Sequence, residues 1–160
     1  MKKIPLEYRD IVFDAKPDAV PYNYRISYKV TQLCLIMHIC GRGDTCSLIK
    51  LHMISFALIS SDNMKKLEEF VQGNGHIPIV RFDPSVNRAL TYAIAYGLIE
   101  QQQTGKYKLT DRGKRLAEQI IIVGDLMVME INDLNMLSKK LTEGKVNEIV
   151  DSWRMKDVEN

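Results

Sequence analysis

The chain has 160 residues, of which 46% are hydrophobic and 26% are charged. This is ordinary composition for a globular protein, and it excludes a disordered chain, a collagen-like fibre and a coiled-coil rod. A chain of this length predicts one domain whose core is large enough to fold without disulfides or metals. The net charge of +2 is too balanced for a dedicated nucleic-acid coat protein, although it leaves room for a local basic patch.

Three cysteines, Cys34, Cys40 and Cys46, each lie in or beside an apolar stretch. An odd number of cysteines in such positions predicts free, buried thiols in a reducing compartment. A zinc site would need closely spaced Cys and His pairs. No C-x-x-C is present, and His38, four residues after Cys34, lacks a second pair. We therefore expect no metal and no cofactor.

The N-terminal residues 1–5 are followed by charges rather than by an apolar run, which differs from the pattern of a signal peptide. The longest apolar stretches, residues 33–37 and 120–123, are too short to cross a bilayer. We therefore expect a cytoplasmic protein that makes no membrane contact.

The first part of the chain predicts an arm and a central helix. Residues 1–23 contain three of the five prolines, which predicts an extended arm whose apolar residues pack on the domain or on a partner. Residues 24–40 predict a helix that is apolar nearly all round and therefore central. Gly41-Arg42-Gly43 is expected to end it, because glycine favours the left-handed C-cap.

Three shorter elements are predicted next. A second helix, capped by Asp44 or Thr45, is expected to run to about residue 59. Residues 60–71 predict a break followed by a short polar helix. Residues 77–80 predict a short strand, which its proline restricts to the edge of a sheet.

Residues 80–119 carry the most informative pattern. Asp83-Pro84 is a strong helix start, and Thr104-Gly105 predicts a tight turn between two strands. The predicted elements are, in order, a helix over residues 84–96 that stops at Gly97, strands over 98–100 and 106–109, and a helix over 111–123 capped by Thr110.

The helix over residues 84–96 is predicted to be amphipathic. Its apolar face, expected to pack on the two preceding helices, consists of Val86, Leu90, Ala93 and Ile94. The positions expected to face outward are Ser85, Arg88, Tyr92, Ala95 and Tyr96. Strand alternation predicts that Tyr107 and Leu109 point inward, and Gly113 is expected to let the next helix approach the hairpin closely.

Two further helices are predicted over residues 125–141 and 143–155, so the expected fold class is mainly α with a small antiparallel β-hairpin or sheet. These helices exceed what a small core needs, and residues 124–160 are therefore expected to dock a partner or to form a dimer. The alternative is that they only cover the domain. The residues assigned to the docking surface are Met127, Met129, Met136, Val146, Ile149, Val150 and Trp153.

The segments Gly97-Leu98-Ile99 and Leu109-Thr110, with Gly113 after them, resemble the "GLI…LT..G" pattern of winged-helix transcription regulators. The resemblance implies a winged-helix domain over residues 24–123, followed by the extra C-terminal helices, in which the helix over 84–96 would enter a major groove. The residues that would then contact DNA are Arg88, Tyr92, Lys106, Lys108, Arg112, Lys114 and Arg115.

Charge limits what such a DNA contact could achieve. Residues 81–119 contain seven Lys and Arg against four Asp and Glu, so the phosphate contacts would be few and the binding weak and independent of sequence. An ordinary solvated surface would explain the same residues. Outward tyrosines beside a single arginine suit a protein surface better than a groove.

Residues 24–120, including Tyr28-Lys29-Val30 and Lys50-Leu51-His52, resemble the middle components of bacterial ABC three-component systems, such as the small subunit of Lamassu-type antiviral defence systems. The resemblance implies a non-catalytic winged-helix subunit that bridges an SMC-like ABC ATPase to an effector, often a nuclease, with weak contact to double-stranded DNA. The alternative is a transcriptional regulator that dimerises through residues 120–155 and binds operator DNA.

No catalytic signature is present. The chain lacks the G-x-x-x-x-G-K-[ST], G-x-G-x-x-G, H-E-x-x-H and G-x-S-x-G motifs. His38 and His52 lie on apolar helices, where a lone histidine is more often a satisfied core residue than a base. We therefore expect neither catalysis nor a small-molecule substrate.

Overall fold

The computed structural model describes residues 25–158, and this part of the chain forms seven helices and a three-stranded antiparallel sheet. The helices are α1 (Ile26–Cys40), α2 (Leu48–Ala57), α3 (Ser61–Val71), α4 (Pro84–Ala95), α5 (Asp111–Val123), α6 (Val128–Leu137) and α7 (Glu143–Val158). The strands are β1 (Thr45–Cys46), β2 (Ile99–Gln101) and β3 (Tyr107–Leu109). The expectation of a mainly helical fold with a small antiparallel sheet is confirmed. The arm expected over residues 1–23 lies outside the described residues.

Helix α1 is the centre of the fold, as its apolar composition predicts. α2, α4, α5 and α6 all pack against it, and its side chains are fully buried from Leu33 to Met37. A helix that is apolar all round requires neighbours on every side, which explains why the remaining helices are arranged around it.

The helix stop predicted at Gly41-Arg42-Gly43 is confirmed, because α1 ends at Cys40, and the left-handed glycine of this segment is Gly43 rather than Gly41. Gly41 has φ −82° and ψ 130°, and the left-handed residues are Gly43 and Asp44, with φ 61° and 57°. Gly41 is needed for space instead, because a Cβ there would overlap the carbonyl oxygen of Met37 and lie 2.9 Å from that of Thr45.

Strand β1 was not predicted, and it displaces the expected start of α2. The strand order is β1-β3-β2, with Thr45 opposite Lys108 and Ile99 opposite Leu109. Because Thr45 pairs in the sheet, the cap of α2 is neither Asp44 nor Thr45 but Ser47, whose Oγ accepts a hydrogen bond from the Lys50 amide at 3.2 Å. Helix α2 also ends at Ala57, earlier than expected.

The strand predicted over residues 77–80 is wrong. These residues form no strand, and the side chain of Ile79 is 77% exposed. Pro78 has no backbone N–H and so cannot donate one of the hydrogen bonds that a strand in a sheet would need. The segment instead runs past α7, where the ring of Phe82 meets that of Trp153 edge-on at a centroid distance of 6.2 Å.

The helix–hairpin–helix stretch is confirmed almost residue by residue. Asp83 Oδ1 accepts a hydrogen bond from the Ser85 amide at 2.8 Å, and Thr110 Oγ1 accepts one from the Gly113 amide at 3.2 Å. Gly97 has φ 72°, a conformation that favours glycine. Gly113 lies where a Cβ would overlap the carbonyl oxygen of Leu98, so the close approach expected of this helix is confirmed.

Two positions on α4 differ from the expected pattern. Ser85 is buried and Ile94 is exposed, whereas Val86, Leu90 and Ala93 line the core as predicted. Ile94 is eight residues after Val86, which places it about 80° around the helix from that residue. Ser85 is buried because the first turn of α4 lies against α1, where Lys29 approaches Asp83.

The C-terminal helices complete the core. α6 is shorter than the predicted helix over 125–141, because Gly124 and Met127 both have positive φ and separate it from α5. It packs against α1 and buries Ile131, Leu134 and Leu137. α7 extends to Val158, and it buries Val146 and Ile149.

Candidate functional site

The outward face of α4 is mixed, with the polar side chains of Asn87 and Thr91 exposed beside an apolar and aromatic patch. Tyr92 is 47% exposed, and its ring stacks on that of Tyr96 with a centroid distance of 6.4 Å and an interplanar angle of 20°. Ala95 and Ile94 are also exposed, and Arg88 is the single cation exposed on this helix. Tyr92 and Ile94, with half-buried Tyr96 behind Tyr92, therefore present an apolar patch with one cation beside it.

The seven residues predicted to contact DNA are not equally available. Arg88, Lys108, Lys114 and Arg115 are exposed. Arg112 is half-buried, and its Nη1 donates a hydrogen bond at 3.0 Å to the carbonyl oxygen of Tyr96. This arginine therefore supplies a hydrogen-bond donor to a carbonyl group at the C-terminal end of α4 that has no partner within the helix.

The two lysines of the hairpin face different surroundings. Lys108 is directly opposite Glu100 on β2, and a cross-strand pair of opposite charges partly compensates the lysine. Lys106 lies beside a cleft formed with α7. The hairpin therefore contributes less free positive charge near α4 than the sequence suggests.

A second group of exposed apolar side chains lies at the end of α5 and on α6. Met129 is 78% exposed and Met136 is 63% exposed. Of the other residues assigned to partner docking, Met127, Val146 and Ile149 are buried within the chain, which corrects their expected surface position. Val150 and Trp153 are half-buried.

Three exposed apolar residues of this group, Ile122, Val123 and Val128, were not predicted from the sequence. A signal for two of them was present. Residues 120–123 form the run Ile-Ile-Ile-Val, and successive residues on a helix are about 100° apart, so such a run cannot turn every side chain towards the core. We call Ile122, Val123, Val128, Met129 and Met136 together the α5–α6 surface.

A buried polar network joins α1 to α2 and α6. The Lys29 ammonium donates to Ser55 Oγ at 3.4 Å, and Ser55 Oγ donates to Gln32 Oε1 at 3.1 Å. Gln32 Nε2 donates to the Tyr28 hydroxyl at 3.5 Å, and this hydroxyl donates to Glu130 Oε1 at 2.8 Å. Burial lowers the pKa of Lys29, and the nearby carboxylate of Asp83 opposes that shift only in part.

His52 is a satisfied core histidine, as expected. Its Nδ1 accepts a hydrogen bond from the Asp83 amide at 3.3 Å, which leaves Nε2 to donate to Asn87 Oδ1 at 3.1 Å. Burial lowers the pKa of the imidazole, an effect that the Asn87 hydrogen bond and the charge of Asp83 oppose. His38 Nδ1 lies 3.1 Å from Asp44 Oδ1 at the end of α1.

The three cysteines are free and buried, as predicted. Burial raises the pKa of Cys34, Cys40 and Cys46 to about 12 in each case. Between residues 25 and 158, no three His, Cys, Asp or Glu side chains are grouped so that they could hold a metal ion. In the same part of the chain, no helix is both long enough and apolar enough to cross a membrane.

No protein-family model matches the chain, and comparisons with curated proteins and with solved structures return no match.

Proposed function

We propose that the chain is a non-catalytic winged-helix accessory subunit that bridges an SMC-like ABC ATPase to an effector such as a nuclease. The order of elements supports the winged-helix part of this proposal. α4 leads directly into the β2–β3 hairpin, and β1, from between α1 and α2, adds a third strand beside β3. The separate helix α3, between α2 and α4, is an addition to that plan.

The observation that carries the proposal is the composition of the exposed side of α4. A helix that binds a DNA groove needs cations for phosphates and polar side chains for base edges. Arg88 is the one cation on the exposed side of α4. The exposed polar side chains of Asn87 and Thr91 already form hydrogen bonds within the chain, since Asn87 Oδ1 accepts from His52 Nε2 at 3.1 Å and Thr91 Oγ1 donates to the Asn87 carbonyl oxygen at 3.0 Å. Beside them lie Tyr92, stacked on half-buried Tyr96, and Ile94. Exposed aromatic side chains of this kind are favoured at protein interfaces.

A bridging subunit needs a second surface, and the α5–α6 surface fits that requirement. It contains five large apolar side chains, each at least 44% exposed. Groups of exposed apolar residues on a folded protein favour an interaction site. Because the two surfaces lie on different helices, each is suited to its own partner.

The test is co-expression of the chain with a candidate SMC-like ATPase and effector, followed by affinity capture. We expect Tyr92→Asp and Met129→Asp each to lose one partner while retaining the other. The matched control for charge introduced at an exposed apolar position is Val158→Asp, near the end of α7, which should retain both partners. Circular dichroism checks that each variant is folded. Capture of both partners by both surface variants contradicts the proposal.

A second candidate function is a transcriptional regulator, and the exposed cations Arg88, Lys114 and Arg115 favour it. An operator-binding protein would protect a discrete stretch of DNA from nuclease digestion. Protection of a discrete site at low salt would favour this candidate over the accessory subunit.

A further inference from the structure

A cleft of about 540 Å³ lies between the end of α1, the β1–β3 side of the sheet and the start of α7. Its volume is within the range of small-molecule sites, roughly 300–1,000 Å³. The residues that line it are Cys40, Arg42, Thr45, Lys50, Lys106, Lys139, Thr142, Glu143 and Gly144.

The lining of this cleft is strongly cationic. It contains Arg42, Lys50, Lys106 and Lys139, and Glu143 is its one carboxylate. Glu143 Oε1 already accepts a hydrogen bond from the Ser47 amide at 2.9 Å, so it serves the start of α2. Within residues 25–158, none of the four cations forms an ion pair with a carboxylate. A cleft lined by several cations without ion-pair partners favours a bound anion.

Lys50 is the least exposed of the four cations. It is 2% exposed, and its ammonium donates one hydrogen bond, to the Cys40 carbonyl oxygen at 2.9 Å. An ammonium has three donors, so two remain beside the cleft without a partner among the described residues. Burying a cation without a counter-charge is unfavourable, and an anion in the cleft would supply one.

The start of α7 adds backbone donors to the same cleft. Thr142 Oγ1 accepts a hydrogen bond from the Lys145 amide at 3.2 Å, and the amides of Glu143 and Gly144 belong to the first turn, which has no partners within the helix. The positive end of the helix dipole lies at this terminus. At Gly144 the backbone is open, since an added Cβ would meet nothing nearer than Thr142 Oγ1 at 3.7 Å.

We propose that this cleft binds the phosphate group of a small molecule, as a ligand rather than as a substrate. The ligand class comprises inorganic phosphates and nucleotides. Cationic side chains bind phosphate through charge-assisted hydrogen bonds, and helix N-termini add amide donors. This inference goes beyond the proposed function and does not depend on it, because the cleft lies outside both of the proposed protein-binding surfaces.

The test is isothermal titration calorimetry of the full chain at low ionic strength. The probes are inorganic phosphate, pyrophosphate, AMP and ATP, with adenosine as the phosphate-free control. We expect binding of at least one phosphate compound and none of adenosine. Comparison of the phosphates with the nucleotides then shows whether the nucleoside contributes to affinity.

Two pairs of variants connect binding to the cleft. Lys139→Gln and Lys106→Gln each remove a lining cation, and we expect about tenfold weaker binding in each, as the loss of one charge-assisted hydrogen bond implies. The matched controls are Lys140→Gln and Lys108→Gln, at residues outside the cleft lining, which should retain the affinity of the unmodified chain. Lys50→Met tests the buried ammonium while keeping a long side chain.

The results of these titrations either support or overturn phosphate binding in the cleft. Binding of a phosphate compound that weakens in the two lining variants but not in the two controls supports the proposal. Absence of binding by the unmodified chain overturns it, as does equal weakening in lining and control variants. Binding of a DNA duplex without binding of any small phosphate compound also overturns it, because the cleft would then be part of a nucleic-acid surface. The surface variants retain a test even if Lys50→Met does not fold.

Discussion

The ammonium of Lys29 in α1 lies 3.8 Å from Oδ2 of Asp83, the residue that caps α4. The two carboxylate oxygens of Asp83 therefore have different partners. Its Oδ1 accepts a hydrogen bond from the Ser85 amide, and its other oxygen faces the buried ammonium. Burial alone would raise the pKa of the Asp83 carboxyl, but the hydrogen bonds from Ser85 and the charge of Lys29 outweigh burial and lower it. This contact connects the central helix to the start of the helix–hairpin–helix stretch.

Substitution of Asp83 is expected to lower the free energy of unfolding by more than the loss of an ordinary helix cap does. Asp83→Ala removes the cap, worth about 0.5–2 kcal/mol, and also leaves the Lys29 ammonium without its carboxylate. Asp83→Asn retains a capping oxygen and removes the charge, so its loss of stability should be smaller. The control is Ser60→Ala, which removes the exposed cap of α3. Urea unfolding measures all three, and an Asp83→Ala loss no larger than that of Ser60→Ala would contradict the expectation.

His52 is expected to make stability depend on pH. Because burial lowers the folded-state pKa of His52, the unfolded chain binds a proton at this position at a higher pH than the folded chain does. The stabilisation is fully present above the unfolded pKa of about 6.5 and is lost as the pH falls from there towards the folded pKa.

The substitution His52→Gln should flatten the dependence of unfolding free energy on pH between about pH 7 and about pH 5. Glutamine has both an NH2 donor for Asn87 and a carbonyl acceptor, but it does not titrate. Urea unfolding at several pH values measures the slope. His76→Gln, at an exposed histidine, should keep the slope of the unmodified chain, and an unchanged slope in His52→Gln would show that another group is responsible.

The cysteines are expected to be unreactive in the folded chain. The thiolate is the reactive form, and the pKa values of about 12 for Cys34, Cys40 and Cys46 leave very little thiolate at neutral pH. Labelling with a thiol-reactive dye should therefore be slow in buffer, whereas in denaturant three equivalents of dye should react per chain. Rapid labelling of even one cysteine in the native protein would contradict this expectation.

Much of the fold was predictable because its signals are local. The caps at Asp83 and Thr110 and the glycine at 97 act within one turn of chain, and the elements that they bound were predicted closely. Strand β1 could not be found this way. Two residues, Thr45 and Cys46, carry no alternating pattern, and they become a strand only because β3 pairs with them.

The residues of the candidate surfaces were likewise predicted correctly only where the signal in the sequence is local. The exposed tyrosine at position 92 follows from helical spacing, so the sequence placed it correctly. Buried Met127, Val146 and Ile149 are apolar like exposed Met129. Which of these side chains is buried depends on how α6 and α7 pack on helices that are distant in the sequence. The cationic cleft joins residues from positions 40 to 144, which no local pattern brings together.

Gly113 provides a test of the packing between α5 and the residues before β2. In Gly113→Ala the added methyl group would overlap the Leu98 carbonyl oxygen and lie 2.9 Å from Leu109 Cδ2. We expect a loss of about 1–3 kcal/mol or more, as in other overpacked cores. Gly144→Ala, on an open helix turn, should instead raise stability by roughly 0.5–1 kcal/mol. Thermal or urea unfolding compares the two, and equal effects would contradict the packing assignment.

DNA binding separates the accessory subunit from the transcriptional regulator. For an accessory subunit with weak phosphate contacts, duplexes of unrelated sequence should bind equally well, and Arg88→Ala should weaken all of them by the same factor. Lys114→Gln and Arg115→Gln should each reduce the slope of log K against log salt concentration by about 1 if they contact phosphate. Lys65→Gln, at an exposed lysine on α3, is the control. Fluorescence anisotropy over a salt series measures these slopes. A strong preference for one duplex that Arg88→Ala abolishes would favour the regulator, because only contact with base edges makes affinity depend on sequence at that position.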